Sequence, residues 1–449
     1  MTMNLVKKNL VLSQPQLTID HTFMVPTDAI PEICSVFVKQ RYFSEDNRKD
    51  LMSISDSGLQ RDVKLELDAS EIDDLGKALN YVRHPDPPLK EPAQMKELTQ
   101  IGGNPGIFAL RGYYLGAGDP NSSLPIVRYA GLLPQSYRDY ESGIDTNDPF
   151  HEVLLEVFRE DSCASIDEKP MSMSLEGKFK VIFPYRTGRT LGYLKDAKDK
   201  TFTAHLGRMR RLISKRKHAG QNVLFAFPGG LDSVEDGAQL LNEIEKTEFP
   251  ANRLFFFGCS SFREGTQWNQ DETKQIWESM LERADILSMN ETELSDLHTV
   301  VVGNGTFQDK ALSYKLMELP TEAIKVCHSA AGSLMDPGPD PGRFLNAEAF
   351  KTDPSGFLEQ SLWLATDGAA YGIASQFGNH ATEAAVRIFS IRVGSRNADT
   401  FKAVFLNVLE TMPPGLIAVP APLVARPMSA LTGIGARFDA LLAAFLMRS

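Results

Sequence analysis

What this 449-residue chain lacks narrows its class before any motif is read. Cysteine is scarce: Cys34, Cys163, Cys259 and Cys327 lie far apart and form no CxxC pair, which points away from both a disulfide framework and a zinc site. They read as buried or half-buried thiols of a reduced compartment. No apolar run approaches membrane-spanning length, and the C-terminal GLIAVPAPLVA is broken by Pro420 and Pro422. The opening MTMNLVKKNLVLSQPQ carries two lysines but neither a sustained apolar core nor a small-residue cleavage site. Positive charge is short as well: the net charge of −11 argues against nucleic acid or an anionic membrane surface as the main partner. A soluble, cytoplasmic protein is expected. Any phosphate site in it must be a local exception, built from glycine N–H groups, a few basic side chains and a metal ion.

Enough apolar material is present for a substantial core. Hydrophobic residues make up 42% and charged residues 23%, so one large α/β domain with a smaller attached element, or two domains, fits the length. The clearest patterning begins at Gln221. Asn222 to Phe227, Leu254 to Gly258, Asp285 to Met289 and Ala323 to Cys327 are apolar strand-length runs, and between them Ser233 to Lys246, Glu272 to Arg283 and Gln308 to Leu319 carry helical spacing. Continuous apolar strands alternating with helices predict a parallel, Rossmann-like sheet with helices on both faces. Ligands in such sheets bind beyond the C-terminal ends of the strands.

Three stretches carry candidate chemistry, the first two at such strand ends. The third strand runs directly into Asn290-Glu291-Thr292-Glu293. An amide and a carboxylate at this spacing share one helical turn and suit Mg²⁺ through hard oxygens; the same residues would also serve as an N-cap with acids complementing the helix dipole. The fourth strand ends in His328-Ser329, and a lone histidine at a strand end reads by itself as a satisfied structural residue. Near the C-terminus, Leu431 to Met447 reads LTGIGARFDALLAAFLM. Phe438, Leu441, Leu442, Phe445 and Leu446 give it an apolar face, and Thr432-Gly433-Ile434-Gly435 leads into the helix with unpaired N–H groups. This turn is a phosphate site or a tight entry into a core helix.

The first two hundred residues are harder to read. Gln16 to Asp20 has strand character and ends in an acid, Ser70 to Leu79 has a helical start, and Ile101-Gly102-Gly103-Asn104 reads as a turn. Met171 to Phe202 is short and β-like around Arg186-Thr187-Gly188-Arg189. Its arginines would meet a phosphate bidentately or simply decorate a solvated hairpin tip. The basic run Arg208 to His218 has an apolar face in Leu206, Met209, Leu212 and Ile213, so it reads as a packed surface helix.

The GIGA turn, with Pro427 to Thr432 before it, resembles the C-terminal signature of the ribokinase (PfkB-type) superfamily of carbohydrate kinases, and most of all its ADP-dependent sugar kinase branch. Gly102-Gly103-Asn104 and Asn290 to Glu293 resemble further signatures of that superfamily, and Phe357 to Phe377 resembles the branch's long small-residue helix behind the nucleotide. The resemblance implies a single ribokinase-like α/β domain over 1–449, with a small β lid from about 15–65 and 110–200. It also implies phosphoryl transfer from a purine nucleotide, ATP or ADP, with Mg²⁺, to a hydroxyl of a sugar or sugar-like molecule. A nucleoside kinase is the alternative within enzymes, and a homodimer is one option the sequence leaves open. On this reading Asp20, Gly102, Gly103, Asn104, Arg186 and Arg189 face the acceptor; His328, Ser329, Thr432, Gly433 and Gly435 face the nucleotide; Asn290 and Glu293 organise the metal; and Gly433, Ile434 and Gly435 cradle the transferred group. The family's catalytic aspartate falls at Ala436. That departure implies an inactivating substitution in a kinase, or else a catalytically dead relative that senses a sugar or nucleotide. Asp439, three residues on, is expected to face differently from Ala436. Asn397 to Phe401 matches the signature only loosely, and Asp399 there reads as a helix cap.

Overall fold

The structure, a computed structural model, describes residues 9–13, 18–24, 63–67, 96–102, 124–129, 178–185, 188–194, 222–229, 234–250, 252–259, 270–303, 311–329, 332–343, 345, 347–376, 412–420 and 434–448, together with Ser35, Asn104 and Phe108. Thirteen strands lie among these residues. They are β1 (Leu10–Ser13), β2 (Thr18–Met24), β3 (Val63–Leu67), β4 (Lys96–Gly102), β5 (Ile126–Tyr129), β6 (Lys178–Tyr185), β7 (Gly188–Leu194), β8 (Val223–Pro228), β9 (Arg253–Gly258), β10 (Ile286–Asn290), β11 (Ile324–His328), β12 (Gly332–Asp336) and β13 (Ile417–Pro420). The helices are α1 (Val234–Glu245), α2 (Gln270–Arg283), α3 (Glu291–Val301), α4 (Leu312–Glu318), α5 (Glu348–Thr352), α6 (Pro354–Gln376) and α7 (Ile434–Leu446).

Eight strands form one sheet in the order β13-β12-β11-β10-β9-β8-β1-β5. Pairing is parallel from β5 through β1, β8, β9 and β10 to β11, and antiparallel at β11–β12 and β12–β13. The expected sheet is therefore found, but its edge is mixed. The antiparallel turn-back arises because Ser329 and Gly332 close β11 onto β12 by a tight link, Ser329 N–H to the Gly332 carbonyl at 2.8 Å. Too few residues separate these strands for the crossover that a parallel pair needs. The pattern also understated β1: four residues of the amino-terminal segment lie between β8 and β5 with their side chains buried.

Alternation along each strand sorts the core into two layers. Phe225, Phe227, Phe255, Phe257, Leu287, Met289 and Cys327 point to one face and pack with Leu240, Trp277, Met280, Leu294, Leu297 and Leu316 of α1 to α4. Leu224, Ala226, Leu254, Phe256, Ile286, Ile324 and Val326 point to the other and meet Phe357, Leu362, Ala365, Phe438, Leu442 and Ala443 of α6 and α7. Both sides of these strands are buried, which is why they read as unbroken apolar runs. On the first face Phe227 and Phe257 stack with centroids 5.3 Å apart.

Helix α7 corrects one expectation. Instead of one buried face and one wet face, residues 436–444 are buried throughout, Arg437 and Asp439 included. The helix is held between the sheet and α6, where a side chain at Gly368 would approach Leu441 Cδ1 to 2.7 Å. The end of α7 is tied down as well, because the buried Asn9 donates to the Met447 carbonyl at 2.8 Å. Helix α4 is shorter than the expected 308–319 span.

One buried charge holds the mixed edge. Lys325 is 4% exposed; its Nζ lies 2.8 Å from Asp336 on β12 and donates to the Met317 carbonyl at the end of α4. Lys325→Met keeps the volume but strips both oxygens of their cation. Because Asp336 retains some water access, we expect a loss of about 2 kcal/mol, read as a lower urea midpoint at unchanged slope.

A second sheet has the order β3-β7-β6-β2-β4. Strands β2, β6 and β7 fall in the stretches read as β-like, whereas β3 and β4 were not read as strands; β6 and β7 pair antiparallel. The proposed helix at 70–79, the basic run 208–218 and the segment 388–409 lie outside the described residues.

Candidate functional site at the strand ends

Asn290 closes β10 and opens α3. With φ −85° and ψ 175° it is extended, and its Oδ1 accepts from the backbone N–H groups of Thr292 and Glu293, each at 2.9 Å. Glu293 reaches back, its Oε2 accepting from the Asn290 N–H at 2.8 Å. The segment is thus a complete capping box, and the structural role weighed above for these residues is realised. The cap does not remove the pair from metal chemistry. Both lone pairs of the Asn290 amide oxygen are taken by the helix, whereas Glu293 brings a carboxylate, the usual hard ligand for such an ion. The residues fit a Mg²⁺ approached through water from Glu293 better than one bound directly by Asn290. Among the described residues no group of three His, Cys, Asp or Glu side chains forms a metal cage.

His328 lies in register with Asn290 on the adjacent strand. Its ring sits 4.8 Å from the Phe438 ring and directly against the start of α7, where a Cβ added at Gly435 would stand 3.2 Å from His328 Cε1 and 3.5 Å from Nε2. Burial lowers the imidazole pKa to about 4, so the ring is neutral at physiological pH. Gly435 is therefore a packing requirement: the helix start approaches β11 closely because this residue has no side chain. Gly435→Val must displace the histidine, and we expect a loss of about 1–3 kcal/mol from overpacking. Gly435→Val combined with His328→Ala should recover most of that loss in a thermal melt.

The third element is a polar link inside the core. Ser288, two residues before Asn290, donates its hydroxyl proton to Asp439 Oδ1 at 2.5 Å, and both side chains are buried. Burial raises the Asp439 pKa to about 7, with the Ser288 hydrogen bond pulling the other way. The neighbouring thiols are shifted up too. Cys259 is raised chiefly by burial and then by Glu293, Asp439 and Cys327, and Cys327 by burial and then by Glu291 and Glu293. Both stay protonated and are inert as nucleophiles.

Residues predicted from sequence therefore meet here in part. Asn290, Glu293, His328, Gly435 and Ala436 come from three elements that converge at the C-terminal ends of β10 and β11. Ala436 is buried on the first turn of α7. Asp439 lies one turn further in, turned onto β10. Ser329 has a structural task, its hydroxyl donating to the Gly332 carbonyl at 3.0 Å. Ile434 begins α7, while Thr432 and Gly433 lie outside the described residues. On the second sheet, Asp20 lies in β2, aligned with Gln100 and Lys180, and Gly102 ends β4 opposite Thr18. The expected turn at Gly102 is thus the end of a strand. Arg189 is the second residue of β7, opposite Pro184, and Asn104 is exposed; Gly103 and Arg186 are outside the described residues. Ser288 was not singled out from the sequence, although a lone hydroxyl in ILSMN and a lone acid in the apolar 438–446 segment are complementary oddities.

Comparison with known proteins adds to the fold. No family model matches the chain, and no curated protein does. Among solved structures, a phosphofructokinase from Pyrococcus horikoshii OT3 with AMP matches over 98% of both chains, at 14% identity and a TM-score of 0.53. An ADP-dependent phosphofructokinase of the same organism, described as hypothetical, gives the same coverage, identity and score. The chain has the ribokinase-like α/β fold of these proteins.

Proposed function

We propose that this chain is a nucleotide-dependent phosphotransferase scaffold whose acceptor is a hydroxyl of a sugar or sugar-like molecule, with the proton-accepting position filled by Ala436. The observation that carries this reading is the convergence of the Asn290–Glu293 turn, His328 and the glycine start of α7 at one end of a parallel sheet, where such folds bind ligands. The two phosphofructokinases that share the fold support a phosphorylated or phosphorylatable sugar as acceptor.

Each residue would have a distinct task. The free N–H groups at the start of α7 would hold the transferred phosphoryl group; Gly435 lets that turn seat against His328. His328, neutral, would add bulk and a hydrogen-bonding edge without adding charge. Glu293 would hold Mg²⁺ through water, and the ion would neutralise charge on the phosphates. Ala436 offers no acceptor for the hydroxyl proton. A nucleotide- or sugar-sensing protein without turnover is the second reading, and Ala436 is what favours it.

Calorimetric titration with MgADP and MgATP, followed by phosphate-transfer assays on sugars, sugar phosphates and nucleosides, tests both. Binding of one nucleotide with slow transfer to one acceptor class is the expected result. Binding without any transfer would support the sensor, and absence of nucleotide binding would defeat the phosphotransferase reading.

A further inference from the structure

The Ser288–Asp439 link joins the two segments on which the proposed site depends. Ser288 lies two residues before the Asn290 cap, and Asp439 lies one helical turn after Gly435 and Ala436. The surroundings of the pair are otherwise dominated by apolar side chains, including Ile286, Phe438 and Leu442. Apolar packing of this kind resists separation but defines rotation and axial position of a helix weakly. A single buried hydrogen bond, by contrast, has one register. On the adjacent strand, His328 fills the space beneath Gly435 and packs on Phe438, so the first turns of α7 are held from two strands at once.

We propose that Ser288 and Asp439 are positioning residues: their hydrogen bond sets the register of the α7 start against the Asn290–Glu293 turn, and thereby the geometry in which an anion is held between them. The inference rests on the phosphotransferase reading for its ligand, but the register itself does not. An acceptor oxygen on residue 439 and a hydroxyl on residue 288 are what the link needs. Asp439→Asn therefore preserves it, whereas Ser288→Ala and Asp439→Leu each remove it.

Two readouts on the full chain test this. The first is hydrogen exchange at the amides of Phe438 to Ala440, whose helical bonds close the first turn of α7, compared with Leu441 to Leu446 lower on the same helix. Ser288→Ala should speed exchange in the first group about tenfold relative to the second, and Asp439→Asn should leave that ratio unchanged. Lys325→Met, which weakens the sheet edge away from α7, serves as the control for general destabilisation and should shift both groups together. The second readout is the MgADP dissociation constant, expected to rise by a similar factor in Ser288→Ala and to stay near the parent value in Asp439→Asn. An unchanged exchange ratio in Ser288→Ala, or equal effects of Ser288→Ala and Asp439→Asn, overturns the proposal. If the parent chain binds no nucleotide, the phosphotransferase reading fails on its own, and the exchange arm still decides the register.

Discussion

Ala436→Asp is expected to raise phosphoryl transfer by about 10²–10⁴-fold, the usual contribution of a positioned general base. Position 436 is on the first turn of α7, beside the N–H groups that would hold the transferred phosphoryl, so a carboxylate there would lie next to the attacking hydroxyl. It would also lie at the positive end of the helix dipole, which favours an ionised acid. Ala436 is only 2% exposed, and the added carboxylate must find water or substrate in the crevice. Ala436→Asn supplies the necessary control. It has nearly the same size and polarity but accepts no proton at neutral pH, and it should gain nothing. Steady-state rates with the acceptor identified by the transfer screen decide the matter. Equal rates in both variants would show that the missing base is not at this position, and a parent chain as fast as Ala436→Asp would show that no base is missing.

The second large effect is on stability. Asp439 titrates near pH 7 in the fold because of burial, but near 4 in the unfolded chain. An acid whose folded pKa is raised favours the folded state below about pH 4, where it is protonated in both states. That advantage is lost as pH rises towards 7, because the folded chain must then bury a carboxylate or hold a proton the unfolded chain has released. Three pH units at about 1.4 kcal/mol each put the upper limit near 4 kcal/mol. Asp439→Asn removes the titration and keeps an acceptor for Ser288. The variant should match the parent near pH 4 and exceed its stability by up to about 4 kcal/mol near pH 8. Asp285, raised to about 6 by burial while accepting from the Phe255 N–H, gives a slope of the same sign in both chains and cancels in the difference. Urea unfolding at several pH values gives the comparison. A variant less stable than the parent at pH 8 would mean that the carboxylate is ionised and stabilising there, contrary to its environment. Loss of the acid is thus expected to stabilise the core without loosening α7, which separates it from Ser288→Ala.

The sheet was legible because the core strands are buried on both faces. VLFAF, LFFFG, ILSM and IKVC needed no tertiary information to be recognised, and the helices between them follow from apolar spacing. The edge was less legible for a physical reason. β12 and β13 are short, and whether a strand returns parallel or antiparallel depends on the link before it, here the Ser329–Gly332 closure. β1 was missed because three apolar residues and a serine in a mixed segment carry no periodic signal of their own.

The candidate site divides in the same way. Sequence by itself determined that an asparagine and a glutamate follow a buried strand, that a histidine ends the next one, and that glycines followed by an alanine lead into an apolar helix. These are local properties, fixed by residue type and spacing. Only the tertiary structure decided that Asn290 spends its amide oxygen on the helix, that His328 lies under Gly435, and that Asp439 turns inward to Ser288. The cap is local, chosen between two roles the same four residues allowed; the other two depend on elements far apart in the chain being pressed together by the burial of two apolar layers. No local pattern encodes that juxtaposition, because the hydrophobic effect that drives it is not directional.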